Sequence, residues 1–347
     1  MTTRAKPVLL CGYYGEHNLG DDALLEVLLD QLPAGTPVLV TAHDQAQVQQ
    51  RFGVATANRR SLAAVLAALG RCRALVLGGG SLLQDATSFK SLLYYGALIV
   101  AARLQGKAVV LWGQGLGPLC RRRSRLLVRA LLPLATAIGW RDADSARLGA
   151  SLGRAANHHA DPVWASQASP WRGQGGPVVV CFRPTPLLRD GAWRPYLEAL
   201  GQLAQSANRE VIWLPFHGEQ DRALLQDLAA QGLLPQDLQQ RSRQVLALTP
   251  SQAKAVFNGA GLVLAMRLHG LILAAVSGAP VAALSYDPKV AAAAAALGCP
   301  CQGLGEPVQS AALTALWQAQ LDRPPAASQL AALRQQAQQQ QALLRML

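Results

Sequence analysis

The chain has 347 residues, 51% of them hydrophobic and 15% charged, with 32 Lys and Arg against 20 Asp and Glu for a net charge of +12. That length suits two domains of roughly 150 residues each, and the low charge fraction excludes a disordered tail protein or a solvated coiled coil. The basic balance leaves three partner classes: nucleic acid, an anionic membrane surface and phosphorylated small molecules.

In chain order, the basic start Met1–Pro7 runs at once into Cys11-Gly12-Tyr13-Tyr14-Gly15, too short an apolar stretch for a signal sequence. Buried strands are expected at Val8–Cys11, Val38–Ala42, Ala74–Leu77, Ala108–Trp112 and Ala137–Trp140, with helix-length segments between them. This alternation implies a parallel sheet covered by helices on both faces. It defines an N-terminal domain over 1–165, followed by a Ser/Pro/Gly-rich linker over 166–177. The same grammar restarts at Val178–Phe182, Val211–Pro215, Gln244–Leu248, Gly261–Ala265 and Val281–Tyr286, giving a second domain over 178–325. The remainder, 326–347, spaces Leu330, Leu333, Ala337, Leu343, Leu344 and Leu347 as a packing helix would. The expected class is α/β, two doubly wound Rossmann-like domains facing a cleft.

The longest apolar run, Leu92 to Ala102, is closed by Arg103 and falls short of the ~18 residues of a membrane span. A cytoplasmic protein is expected. Six cysteines without a disulfide framework agree. Cys299-Pro300-Cys301 has one intervening residue and no second pair, so no metal is expected. Aromatic residues are only 5%, and the one dense basic run is Arg121-Arg122-Arg123-Ser124-Arg125. Nucleic acid is therefore set aside. Much of the remaining positive balance reads as scarce acid spread over the chain.

Doubly wound sheets bind ligands beyond the carboxyl ends of their strands. After the first strand comes Gly12-Tyr13-Tyr14-Gly15-Glu16-His17-Asn18-Leu19-Gly20-Asp21-Asp22. No Gly-Lys-Ser/Thr follows, and two aspartates at a helix start repel phosphate. Such a loop suits a hydroxyl-rich ligand such as a sugar, or is an ordinary turn with capping aspartates. Tyr14, His17 and Asn18 are the acceptor candidates here, joined by Gln84 and Asp85 after Gly78-Gly79-Gly80-Ser81. Arg141 directly follows another strand, where a guanidinium can meet a carboxylate or phosphate, or pair with Asp142 or Asp144. In the second domain, Met266-Arg267-Leu268-His269-Gly270 and Ser285-Tyr286-Asp287-Pro288-Lys289 put Arg267, His269 and Lys289 beside two helix N-termini. Cations with free amides make an anion site. Arg183 follows a strand in the same way, and His217 either ends another or opens an ordinary helix. An acidic, hydroxyl-seeking half and a cationic half together suggest transfer from a phosphorylated donor to a sugar.

At these residues the sequence resembles the bacterial polysaccharide pyruvyl transferases. The resemblance rests on segments 12–25, 78–88, 113–118, 140–145, 160–164, 215–221 and 266–290, of which the Arg267-Leu268-His269-Gly270 and Ser285–Val290 pair is the most specific. It implies a GT-B-like fold and transfer of the pyruvyl group of phosphoenolpyruvate to a sugar of a cell-surface polysaccharide or its precursor. A cyclic ketal forms and phosphate leaves. Phosphoenolpyruvate is then the donor substrate and no cofactor is needed. The resemblance assigns donor binding to Arg141, His269 and Lys289, with Arg267 in the same motif; Arg183 is added from its position. His269 is expected to be the general acid or else a phosphate ligand, and Glu16 or Asp21 the base on the acceptor hydroxyl. A saccharide acceptor, free or lipid-linked, is the second partner. The Arg121–Arg125 run is expected to place the protein peripherally on the anionic inner face of the membrane. Two rivals stand beside this reading: a GT-B glycosyltransferase using a nucleotide-sugar donor, and a non-catalytic polysaccharide-assembly subunit.

Overall fold

A computed structural model describes residues 5–86 and 88–347. Met1–Arg4, at the basic start, and Thr87, within the 78–88 segment, lie outside the described residues. The chain divides into two units. One comprises Met1–Glu16, Asp21–Ala165 and Arg334–Leu347; the other comprises His17–Gly20 and Ser166–Leu333.

The first unit carries β1 (Val8–Tyr14), β2 (Val38–Ala42), β3 (Ala55–Asn58), β4 (Ala74–Leu83), β5 (Ala108–Leu116) and β6 (Ala137–Trp140). All pair in parallel in the order β3-β2-β1-β4-β5-β6. Runs such as Val8-Leu9-Leu10 and Leu75-Val76-Leu77 are buried on both faces, as a helix-covered parallel sheet requires. One face packs Leu75, Leu77 and Leu111 against Leu92, Leu98 and Ile99 of the helix Phe89–Leu104. β1 and β4 are adjacent but not consecutive, so the topological switch point lies between them.

The second unit repeats the plan with β7 (Val178–Cys181), β8 (Val211–Trp213), β9 (Ser242–Gln244), β10 (Leu262–Ala265), β11 (Val281–Ser285) and β12 (Cys301–Gly303), ordered β12-β11-β10-β7-β8-β9. Its switch point lies between β7 and β10. Val178, Val180, Leu262 and Leu264 pack with Trp213 and Trp317 in its core.

The expected strands form except at Gln244–Leu248, where the observed strand is Ser242–Gln244 and shares only Gln244 with the expected run, and with three further differences. β4 and β5 run on through Gly78–Gly80 and Gly113–Gly115, so those glycines are part of the sheet rather than loops after it. Gly79 and Gly80 have φ of 78° and 74°, which an L side chain rarely adopts, and the ladder shifts register between Gly80 and Leu83. The third is that edge strands β3 and β12 were not anticipated. The stretch 166–177 is pinned to the second unit: the Trp171 indole donates to Ala260 O at 2.9 Å, and Arg172 N to Asn258 O at 3.0 Å. The last helix, Ala327–Gln338, is shared between the two units, and the segment after it enters the first. There Gln340 is fully buried, accepting from Gly113 N at 3.4 Å and donating to Trp140 O at 3.2 Å. All six cysteines are free thiols, and no helix among the described residues is long and apolar enough to cross a membrane.

Candidate functional site

At the switch point of the second unit, four strands deliver polar side chains from their carboxyl ends. Arg183 follows β7, His217 follows β8, Arg267 and His269 follow β10, and Lys289 follows β11. His269 sits in the first turn of the helix Leu268–Val276, whose N-terminus is capped by no side chain. Asp287 caps the next helix, Pro288–Leu297, accepting from Lys289 N at 3.0 Å. Arg183 lies over the Tyr286 ring, its guanidinium carbon 4.7 Å from the centroid, and donates to the Tyr286 hydroxyl at 2.8 Å. Stacking and this hydrogen bond hold the guanidinium at the sheet edge.

Arg267 is committed elsewhere. Its Nε donates to Asp221 Oδ2 at 3.0 Å, Nη2 donates to Asp221 Oδ1, and Nη2 also reaches Gln220 Oε1 at 3.0 Å. The Asp221 carboxylate, wholly buried, further accepts from Phe216 N at 3.1 Å and His217 N at 2.9 Å. This bidentate pair fixes the loop after β8 onto the start of the Leu268–Val276 helix, so Arg267, expected to grip a donor, serves first as a clamp.

Beside that clamp, His217 is buried, and neither ring nitrogen has a hydrogen-bond partner in the structure. Burial, followed by the neighbouring Arg267 charge, pulls its pKa below the usual imidazole value. It is held neutral.

The loop after β1 divides between the units, which the sequence reading had not foreseen. His17–Gly20 belongs with the second. Asn18 and His217 form an antiparallel bridge, Leu19 N donates to Phe216 O at 3.0 Å, and Gly218 N to His17 O at 2.9 Å. Asn18 Oδ1 accepts from Gly20 N at 3.1 Å, and His17 has a left-handed φ of 52°. A Cβ on Gly20 would overlap the His269 ring at Nδ1. Only glycine lets the imidazole lie where it does. His17 and Asn18, expected on the acceptor side, thus pack with the His217–Gly218 segment, and Gly20 with His269.

In the first unit, Glu16 is gripped by two guanidiniums: Arg59, and Arg60 at 2.7 Å. Burial opposes its charge, but these two arginines outweigh that and hold its carboxyl below the usual range. A carboxylate so stabilised is a weak base, which counts against the role expected for it. Arg59 also donates to the Tyr95 hydroxyl at 3.3 Å and lies 4.4 Å over the Tyr13 ring. Asp22 pairs with Arg51 at 2.8 Å, whereas Asp21 lies over Gly80 at the switch point.

Two acceptor candidates have structural duties instead. Tyr14 is buried, and its hydroxyl donates to Gly78 O at 2.6 Å, bracing β1 against β4. Asp85 is buried and accepts from Cys120 N at 2.7 Å and Arg121 N at 2.9 Å. Burial opposes ionisation, yet hydrogen bonds, including those from these amides, hold its carboxyl at about 2. Gln84, half-buried, follows β4. Arg141 is 7% exposed; Nη2 donates to Ser81 Oγ at 3.0 Å and Nη1 to Asp161 at 3.3 Å, while Nε lies 3.6 Å from Asp142 without a hydrogen bond. The expected pairing with Asp142 is therefore secondary to the buried Asp161. Among the described residues no three His, Cys, Asp or Glu side chains converge as metal ligands would.

Sequence reasoning left His217 undecided and did not find Asp221, Arg59 or Arg60. The partners lie 46 residues apart for Asp221 and Arg267, and 43 and 44 apart for Glu16 and its arginines. Only the position of His217 and Asp221 just after a strand hinted at them.

A sequence model of the polysaccharide pyruvyl transferase family matches residues 18–288. No curated protein matches the chain in sequence. Solved structures match it along its length at low identity. The UDP-GlcNAc 2-epimerase of Methanocaldococcus jannaschii has a TM-score of 0.64 at 9% identity, covering 98% of this chain and 99% of its own. HepE of Anabaena, in complex with UDP and glucose, has 0.58 at 15%, with 98% of each chain covered. MurG of Acinetobacter baumannii has 0.51 at 15%, covering 99% and 100%. These likenesses establish the GT-B-type fold.

Proposed function

The chain belongs to the polysaccharide pyruvyl transferase family, and on that premise we propose that it moves the pyruvyl group of phosphoenolpyruvate onto a saccharide as a cyclic ketal. The observation that carries this reading is the grouping of Arg183, His269 and Lys289 after β7, β10 and β11, neighbouring strands at a switch point. Phosphoenolpyruvate presents a carboxylate and a phosphate, and this edge offers an oriented guanidinium, an ammonium and an uncapped helix N-terminus.

The reaction needs no oxidant. One saccharide hydroxyl attacks the second carbon of the donor as a proton adds to its methylene carbon, which becomes the methyl group. Phosphate leaves, and a second hydroxyl closes the ketal. Of the two hydroxyl protons, one ends on the methyl group and the other on phosphate. His269 is assigned the delivery of the methylene proton, and Arg183 and Lys289 the donor's anionic groups. In the first unit Asp21 is assigned to receive a hydroxyl proton, because Glu16 is neutralised by Arg59 and Arg60. Arg267 positions this edge through Asp221.

Phosphate release is the test. It is expected only when phosphoenolpyruvate and a saccharide are both present, and His269→Ala should slow it by about 100-fold or more. Release of nucleoside diphosphate from a nucleotide sugar, without phosphate from phosphoenolpyruvate, would support the glycosyltransferase instead.

A further inference from the structure

The positive charge of this chain is not evenly spread. Residues 86–141 hold nine of its 32 basic residues and none of its 20 acidic ones, leaving 23 against 20 for all the rest. Most of these nine are exposed on two neighbouring helices of the first unit, Phe89–Leu104 and Arg122–Leu131. Gly96 of the first helix meets Leu131 of the second, and Arg123 lies 4.1 Å over the Phe89 ring, so the helices run side by side in the same direction.

Each presents an exposed stripe at helical spacing. On Arg122–Leu131 the stripe is Arg122, Arg125, Leu126 and Arg129; on Phe89–Leu104 it is Lys90, Leu93, Val100 and Leu104. Leu104 is 84% exposed, Leu126 66% and Leu93 47%. Arginines alone would suit any polyanion. Large aliphatic side chains standing in water among them favour a partner with an apolar layer beneath an anionic one. A bilayer containing anionic lipid is that partner: guanidiniums lie at the headgroups on stems that reach along apolar surface, and the leucines enter the acyl boundary.

We propose that the outer faces of these two helices form a docking surface for an anionic lipid bilayer. The arginine run 121–125 is one edge of it. Cosedimentation of the whole protein with phosphatidylcholine vesicles, with and without phosphatidylglycerol, tests this. Binding is expected only with phosphatidylglycerol, weakening as salt is raised. Arg122→Gln/Arg125→Gln/Arg129→Gln should lower the partition constant on the order of 100-fold. Leu104→Ser/Leu126→Ser, at unchanged charge, should lower it about tenfold or more. Both variants alter exposed side chains, and an unchanged thermal transition will confirm that they fold. Equal partitioning onto both vesicle types, no loss in either variant, or binding to RNA without binding to vesicles would overturn the proposal. Phosphate release with a soluble saccharide, measured on the same variants, keeps this outcome separate from the transfer reaction.

Discussion

His269 keeps its place because Gly20 has no side chain. The atoms a methyl group would strike are Nδ1 and Cγ of the ring and the Cβ that carries it, which cannot swing aside as a flexible tip could. Gly20→Ala is expected to cost about 1–3 kcal/mol of stability and to lower kcat more than it raises the KM for phosphoenolpyruvate. Denaturation and steady-state kinetics on one preparation check both. Asp221→Asn removes the charge that satisfies Arg267 while leaving an oxygen for the two amides, so a part-buried guanidinium loses its buried counterion. The expected loss is about 3 kcal/mol or more by urea titration. The places of His269, Arg183 and Lys289 were legible in the sequence because each lies within four residues of a strand's carboxyl end. What Asp221 and Glu16 do could not, because it is set by arginines brought to them through the fold.

Strands with continuous aliphatic runs, such as Val178–Cys181, stood out because burial on both faces demands them. β3, reading Ala-Thr-Ala-Asn, and β12, reading Cys-Gln-Gly, lie at sheet edges and need no such run. The final segment shows the reverse limit: its leucines announced packing, but its anchor is the polar Gln340, which no apolar periodicity marks. Gln340→Leu would take the side-chain acceptor from Gly113 N and leave Trp140 O only its bond from His159 N, in the interior of the first unit. A loss of about 1–3 kcal/mol is expected from thermal or urea unfolding. The loop between β4 and the Phe89–Leu104 helix depends on Asp85. Because that carboxyl is lowered in the folded chain, its contribution is fully present above the ordinary aspartate range and is lost as pH falls from about 4 to about 2. Asp85→Asn should therefore lower stability at neutral pH and flatten its decline over that acid window, as denaturation at a series of pH values will show.

Taken whole, the molecule places one switch point in each of two parallel sheets, with an acid-bearing loop at the first and cations at the second. The two sheets and their class followed from the alternation of aliphatic runs with helix-length segments. The division of the β1 loop between the units did not, since the pairing of Asn18 with His217 joins residues about 200 positions apart. The uneven charge was open to counting, because Asp85 and Asp142 bound a stretch without acid. The central claim, pyruvyl transfer, is tested most directly by following the carbon itself. After incubation with a saccharide and phosphoenolpyruvate labelled at its second carbon, the label should appear in the saccharide as a ketal carbon bearing a methyl and a carboxylate. Label recovered only as free pyruvate or unchanged donor, with a competent acceptor present, would contradict the account.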